Sequence, residues 1–133
     1  MSGFLFWIGA YNVVGSLALV LFHNEKLAEK ALVKVFQVIL APYSHGSHGR
    51  MWLWWALTSN LALGAIMVQA AHWPVDVQRG VTGSVIAVYV IMGIATLVAA
   101  LRPGDRWRPY GIYATLVLWI AQIGWGAYGL ATS

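Results

Sequence analysis

Four stretches of the chain are almost purely apolar, and the charged residues fall between them. The uncharged runs cover 4–22, 51–71, 81–101 and 110–130. Each holds about 19–21 residues, or roughly 28–32 Å as helix, which matches the hydrocarbon thickness of a bilayer. Core helices of a soluble protein would carry a polar face, and these runs do not. The pattern predicts an all-α membrane protein: a single domain, 1–133, built as an antiparallel bundle of four transmembrane helices.

A different periodicity fills the gap after the first run. Lys26, Lys30, Lys34 and Gln37 recur at helical spacing, while Leu27, Ala31, Leu32, Val35, Phe36 and Ile39 take the other side. Asn24 can cap this helix, and Glu25 and Glu29 lie in its first turns, where the helix dipole favours them. The expectation is one amphipathic helix over about 25–40, lying at the cytoplasmic interface with its lysines among the lipid headgroups. Pro42 ends it. The later connections are short. Residues 72–80 and 102–109 hold Pro74 and the Pro103-Gly104 pair, so consecutive spans become antiparallel neighbours. Pro109 stands at a favoured helix-start position. There is no internal repeat.

Composition agrees with this picture: 60% of residues are hydrophobic and 9% charged, against roughly 25% charged in soluble domains. The net charge is +4, and its placement carries the information. Lys26, Lys30, Lys34 and Arg50 lie in loop 1 and Arg102, Arg106 and Arg108 in loop 3, whereas loop 2 holds only Arg79. The positive-inside rule then puts loops 1 and 3 in the cytoplasm and both termini outside. A bacterial inner membrane or another plasma membrane is the expected location. The basic residues suit anionic lipid heads, and no nucleic-acid partner is implied. Met1-Ser2-Gly3 lacks the basic n-region of a secretory signal, so the first run is expected to remain as a span. With no cysteine, disulfides and thiolate chemistry are excluded.

Three groups of residues are candidates for chemistry. His45 and His48, with His23, share the cytoplasmic side and could ligate a metal or haem iron, although no carboxylate accompanies them. Ser44, Ser47 and Arg50 surround Gly46 and Gly49 at the start of the second span, where free N–H groups and the helix dipole would hold a lipid phosphate or another anion. The third group lies at mid-depth. Asn12, Asn60, Tyr89 and Gln122 contribute one polar side chain from each span, and Trp119 is a central tryptophan beside them. Polar groups in hydrocarbon must be satisfied, so these five should turn inward as a pocket for a neutral lipid, quinone, sterol or pigment, or as interhelical bonds. Ser16 shares a helical face with Asn12, and Thr82 shares one with Tyr89.

No Asp, Glu, Lys or Arg lies within any span, which disfavours ion-coupled transport and proton relays. Serine–histidine catalysis lacks an acid on the histidine side. Small residues at 83/87, 95/99 and 124, 126 and 129 would let helices approach closely. The chain is expected to be a non-catalytic accessory or scaffold subunit of a larger membrane complex, or a homo-oligomer. A membrane module binding a lipid or another hydrophobic molecule is the alternative, and a histidine-based metal or haem redox component is the third. Bound lipid is the favoured cofactor, ahead of metal or haem.

Overall fold

The computed structural model describes residues 1–21, 46–101 and 109–133, with side chains described at 1–18, 51, 54–98, 101 and 116–133. The chain is all-helical over these residues, with no strand among them. The four helices among the described residues are α1 (Ser2–Leu21), α2 (Gly46–Ala70), α3 (Val75–Leu101) and α4 (Pro109–Ala131). Each coincides with one of the apolar runs. The helix expected at 25–40 lies outside the described residues.

Two helices start earlier than hydropathy alone suggests. α2 begins at Gly46, so Ser47, His48 and Arg50 occupy its first turns rather than a loop. α3 begins at Val75, which shortens the expected 72–80 loop to a tight turn. The turn explains the early start. The Pro74 carbonyl accepts the first α3 hydrogen bond, from the Gln78 N–H at 3.0 Å, and Asp76 lies in the dipole-positive first turn. The end of α2 tightens as His72 and Trp73 donate to the carbonyls of Gln69 and Ala70, which satisfies acceptors the helix would otherwise leave open. The buried Gln78 side chain spans the turn, donating to the carbonyls of Ala71 at 3.1 Å and Trp73 at 2.9 Å. At the end of α4 the hydroxyls of Thr132 and Ser133 bond back to Tyr128 and Gly129, and Arg79 donates to the Ser133 carbonyl.

The helices pack as two antiparallel pairs, α1 on α2 and α3 on α4, with thinner contact between the pairs. Glycine sets the first pairing. A Cβ on Gly9 would lie 2.8 Å from the Gly64 carbonyl oxygen, and one on Gly64 would lie 2.7 Å from the Gly9 carbonyl oxygen. The two backbones therefore touch, and only glycine fits at either position. Gly126 lets α4 close on Ile86 and Phe4, where an added Cβ would meet both at 3.0 Å. Around these crossings lie Phe4, Leu5, Ile8, Met67, Ala70, Ala71, Val85 and Tyr89, the buried core. Of the small residues singled out by spacing, Gly126 and Gly129 meet α1 or α3, while Gly83 and Gly124 face open space.

Among the described residues this core cluster lies in the half nearest the 71–74 turn. Towards the other end, Val90 to Leu101 of α3 are exposed or half-buried wherever their side chains are described. Val75–Val98 is long and apolar enough to cross a membrane: its most apolar 18 residues have a mean hydropathy of 2.2, and only 17% of them are buried within the chain. A core helix of a soluble protein would be mostly covered, and this one is not. Shorter apolar stretches occupy Ser2–Ala18 and Leu116–Ala131. α2 and α3 diverge from their shared turn and leave an apolar groove of about 410 Å³, lined by Leu63 and Ile66 on one side and by Val77, Val81, Val85 and Val88 on the other.

Candidate functional site

Three of the five residues expected at mid-depth come into contact, Asn12, Tyr89 and Trp119, and a fourth, Gln122, is buried on the same helix as Trp119. The Asn12 Nδ2 of α1 donates to the Tyr89 Oη of α3 at 2.8 Å, and the same nitrogen approaches the Met67 sulfur of α2 at 3.9 Å. The Tyr89 ring packs on the Trp119 ring of α4, with centroids 4.9 Å apart and planes tilted by 54°. Gln122 stands three residues further along α4 and is buried. Asn12, Tyr89 and Gln122 are each no more than 5% exposed.

The helix register explains the grouping. α1 and α3 run side by side in the same direction, so Asn12 meets Tyr89. α4 runs against them, so Trp119 packs near Gly93 and Gly126 near Ile86. Gly64 draws α2 so close that its position lies against Asn12 Cβ. One layer therefore contains Asn12, Gly64, Tyr89 and Gln122. The next layer, one turn away from the core, contains Ser16, Asn60, Gly93 and Trp119.

Asn60 is not part of the closed group. It lies on the same stripe of α2 as Leu57, Gly64, Met67 and Ala71, all of which are buried, yet it is exposed. Its exposure is local: Leu57, one turn further from the 71–74 turn, and Ser16, on the same level of α1, are both buried. Residues 57, 60, 64, 67 and 71 recur at helical spacing, so orientation was predictable from sequence while cover was not.

The interior is polar but incompletely bonded. The Ser16 Oγ, Thr82 Oγ1, Trp119 Nε1 and Gln122 Oε1 are buried and have no hydrogen-bond partner. Buried polar atoms are nearly always paired, because an unmade bond forfeits hydration without return. Three of the four lie within one turn of the Asn12–Tyr89 bond. Thr82 lies seven residues before Tyr89, well inside the closed half, and is wholly buried. Apolar periodicity alone does not reveal the Gly9–Gly64 contact or Met67. The available signal was a glycine within one turn of a mid-depth polar residue on each helix.

The remaining candidates are placed only in part. Ser47, His48 and Arg50 belong to the helical start of α2, and their side chains are outside the described set. His23, Ser44 and His45 lie outside the described residues altogether. His72, on the far side, is exposed and packs its ring edge-on against Phe6 at 6.5 Å. Among the described residues no three His, Asp or Glu side chains gather at one point. No family model, curated protein or solved structure matches the chain.

Proposed function

We propose that this chain is a small, non-catalytic integral-membrane protein that acts by associating with other helices in the bilayer, as an accessory or scaffold subunit of a larger complex or as a homo-oligomer. The carrying observation is the half-built interior. The helix pairs share a packed core near the 71–74 turn, while beyond Tyr89 the apolar length of α3 is left uncovered. A partner helix would complete that surface, and mid-depth Asn60 offers it a hydrogen bond.

In this proposal all four helices span the membrane. Their lengths are 20, 25, 27 and 23 residues, or roughly 30–40 Å at 1.5 Å per residue. Both termini lie outside, and loops 1 and 3, with seven of the eight basic residues, lie in the cytoplasm of a bacterium or beneath another plasma membrane. Native mass spectrometry of gently extracted membranes tests the association. The expected result is the chain in fixed stoichiometry with another membrane protein or with itself. A bare monomer at every detergent concentration would reject it. A cytoplasmic signal from a C-terminal reporter would reject the orientation.

A second reading is favoured by the unpaired polar atoms around Tyr89 and Trp119. Interhelical bonding alone would have no reason to leave them open. A neutral hydrophobic molecule with a polar head would close them. The lipid-phosphate role of Ser44, Ser47 and Arg50, and the metal or haem role of His23, His45 and His48, remain separate proposals. The first predicts loss of co-purified anionic lipid in Arg50→Ala, and the second a Soret band or bound metal.

A further inference from the structure

The unpaired atoms differ in kind, and that difference selects a ligand. The Trp119 Nε1–H can only donate, and the Gln122 Oε1 can only accept. The Ser16 hydroxyl can do either. All three are on helices flanking the Asn12–Tyr89 bond, which already satisfies its own donor and acceptor. The pair thus acts as a lock between α1 and α3, and the neighbouring groups are left as handles. Ser16 and Gln122 are more than nine-tenths buried, while Trp119 and Gly93 are half-buried on the side where Asn60 is exposed. The site is closed on its Ser16 and Gln122 side and partly open on its Trp119 side.

We propose that this site binds a neutral, membrane-dissolved molecule through a free hydroxyl group. The hydroxyl donates to the Gln122 Oε1 and accepts from the Trp119 Nε1–H, with Ser16 as a third partner. Its ring or hydrocarbon packs on the Tyr89–Trp119 pair. A ketone, ester or quinone carbonyl would satisfy Trp119 and leave Gln122 open. A carboxylate or ammonium head is excluded on cost, because no charged side chain shares this part of the helices to pair with it. Phenols, quinols, sterols and long-chain alcohols share the required group. This inference rests on the second reading above and adds to it the chemistry of the head.

A matched pair of probes tests it. The full chain is placed in phosphatidylcholine nanodiscs and titrated with 4-decylphenol or with its methyl ether, 4-decylanisole. Occupancy is read by native mass spectrometry and by the shift in Tm. The phenol is expected to bind about tenfold tighter than the ether, because the ether cannot donate to Gln122. Gln122→Met should shrink that preference to about threefold or less, and Trp119→Phe should weaken binding of both probes while helicity is retained. Equal binding of phenol and ether would overturn the hydroxyl assignment and leave a hydrophobic site standing. Binding of neither would remove both, with water then the occupant of the unpaired groups. An unchanged preference in Gln122→Met would overturn the assignment of the acceptor.

Discussion

The two halves of this protein are built from the same helices but held together differently. Near the 71–74 turn, backbone touches backbone at Gly9 and Gly64, Phe4 fills the space over Gly126, and Gln78 ties the turn. Beyond the Asn12–Tyr89 bond the same four helices carry no comparable crossing among the described residues. The loss of cover does not follow a loss of hydrophobicity: α3 is more apolar after Tyr89, where Thr96 is the one polar side chain, than before it, where Asp76, Gln78, Arg79, Thr82 and Ser84 lie. In the proposed bilayer setting closeness is set by glycine and by turn length, since hydrophobicity gives no preference for helix over lipid tail.

The largest effect should come from the glycines. Gly9→Leu or Gly64→Leu forces side-chain atoms into an opposing backbone that has no rotamer to give, so the cost should reach or exceed about 3 kcal/mol, the upper end of overpacking. Gly83→Ala, on a helix face with nothing within 4 Å, should stay within about 0.5 kcal/mol. Unfolding by a strongly denaturing detergent, followed by circular dichroism, measures both. If Gly83→Ala proved as damaging as Gly64→Leu, the contrast between crossing and open face would be lost.

A smaller effect is expected at the boundary between the halves. Tyr89→Phe removes the acceptor of the Asn12 amide and should cost about 0.6–1.7 kcal/mol, the range of interhelical hydrogen bonds in membranes. Asn12→Leu should cost a similar amount, and the double variant should cost less than the sum, since both singles break one bond. A coupling energy near zero would show that the 2.8 Å contact contributes nothing to joining α1 to α3.

The helices themselves were largely legible in the sequence. Apolar runs bounded by Pro74, Pro109 and the basic clusters locate each helix to within several residues. The inward turn of Asn12, Tyr89 and Gln122 was also legible, because a mid-depth polar residue has nowhere else to go. Two things were not. The early starts at Gly46 and Val75 escaped because polar residues at a helix end lower its hydropathy without disfavouring helix, and Gln78 and Arg79 are good helix formers. The exposure of Asn60 escaped because periodicity gives the direction of a side chain and says nothing about the distance to the next helix. The Gly9–Gly64 approach was illegible for a similar reason, being a contact between residues far apart in sequence.

Asn60 provides the smallest effect on the fold and the most direct comparison between the halves. Its carboxamide is exposed, so Asn60→Leu should change the stability of the isolated chain by less than about 0.5 kcal/mol. Asn12, one layer away, should be several times more sensitive. The ranking should reverse for association. A carboxamide in hydrocarbon gains by bonding across to another helix, each such bond being worth about 0.6–2 kcal/mol, so Asn60→Leu should weaken self-association or partner binding by roughly threefold to tenfold or more. Asn12, whose amide is already engaged with Tyr89, should change association little when replaced conservatively by Gln. Sedimentation equilibrium in density-matched detergent reads the association, and detergent unfolding reads the fold. A loss of stability at Asn60 equal to that at Asn12 would mean that the spread half closes inward on itself. Unchanged association would mean that Asn60 needs no helix from outside.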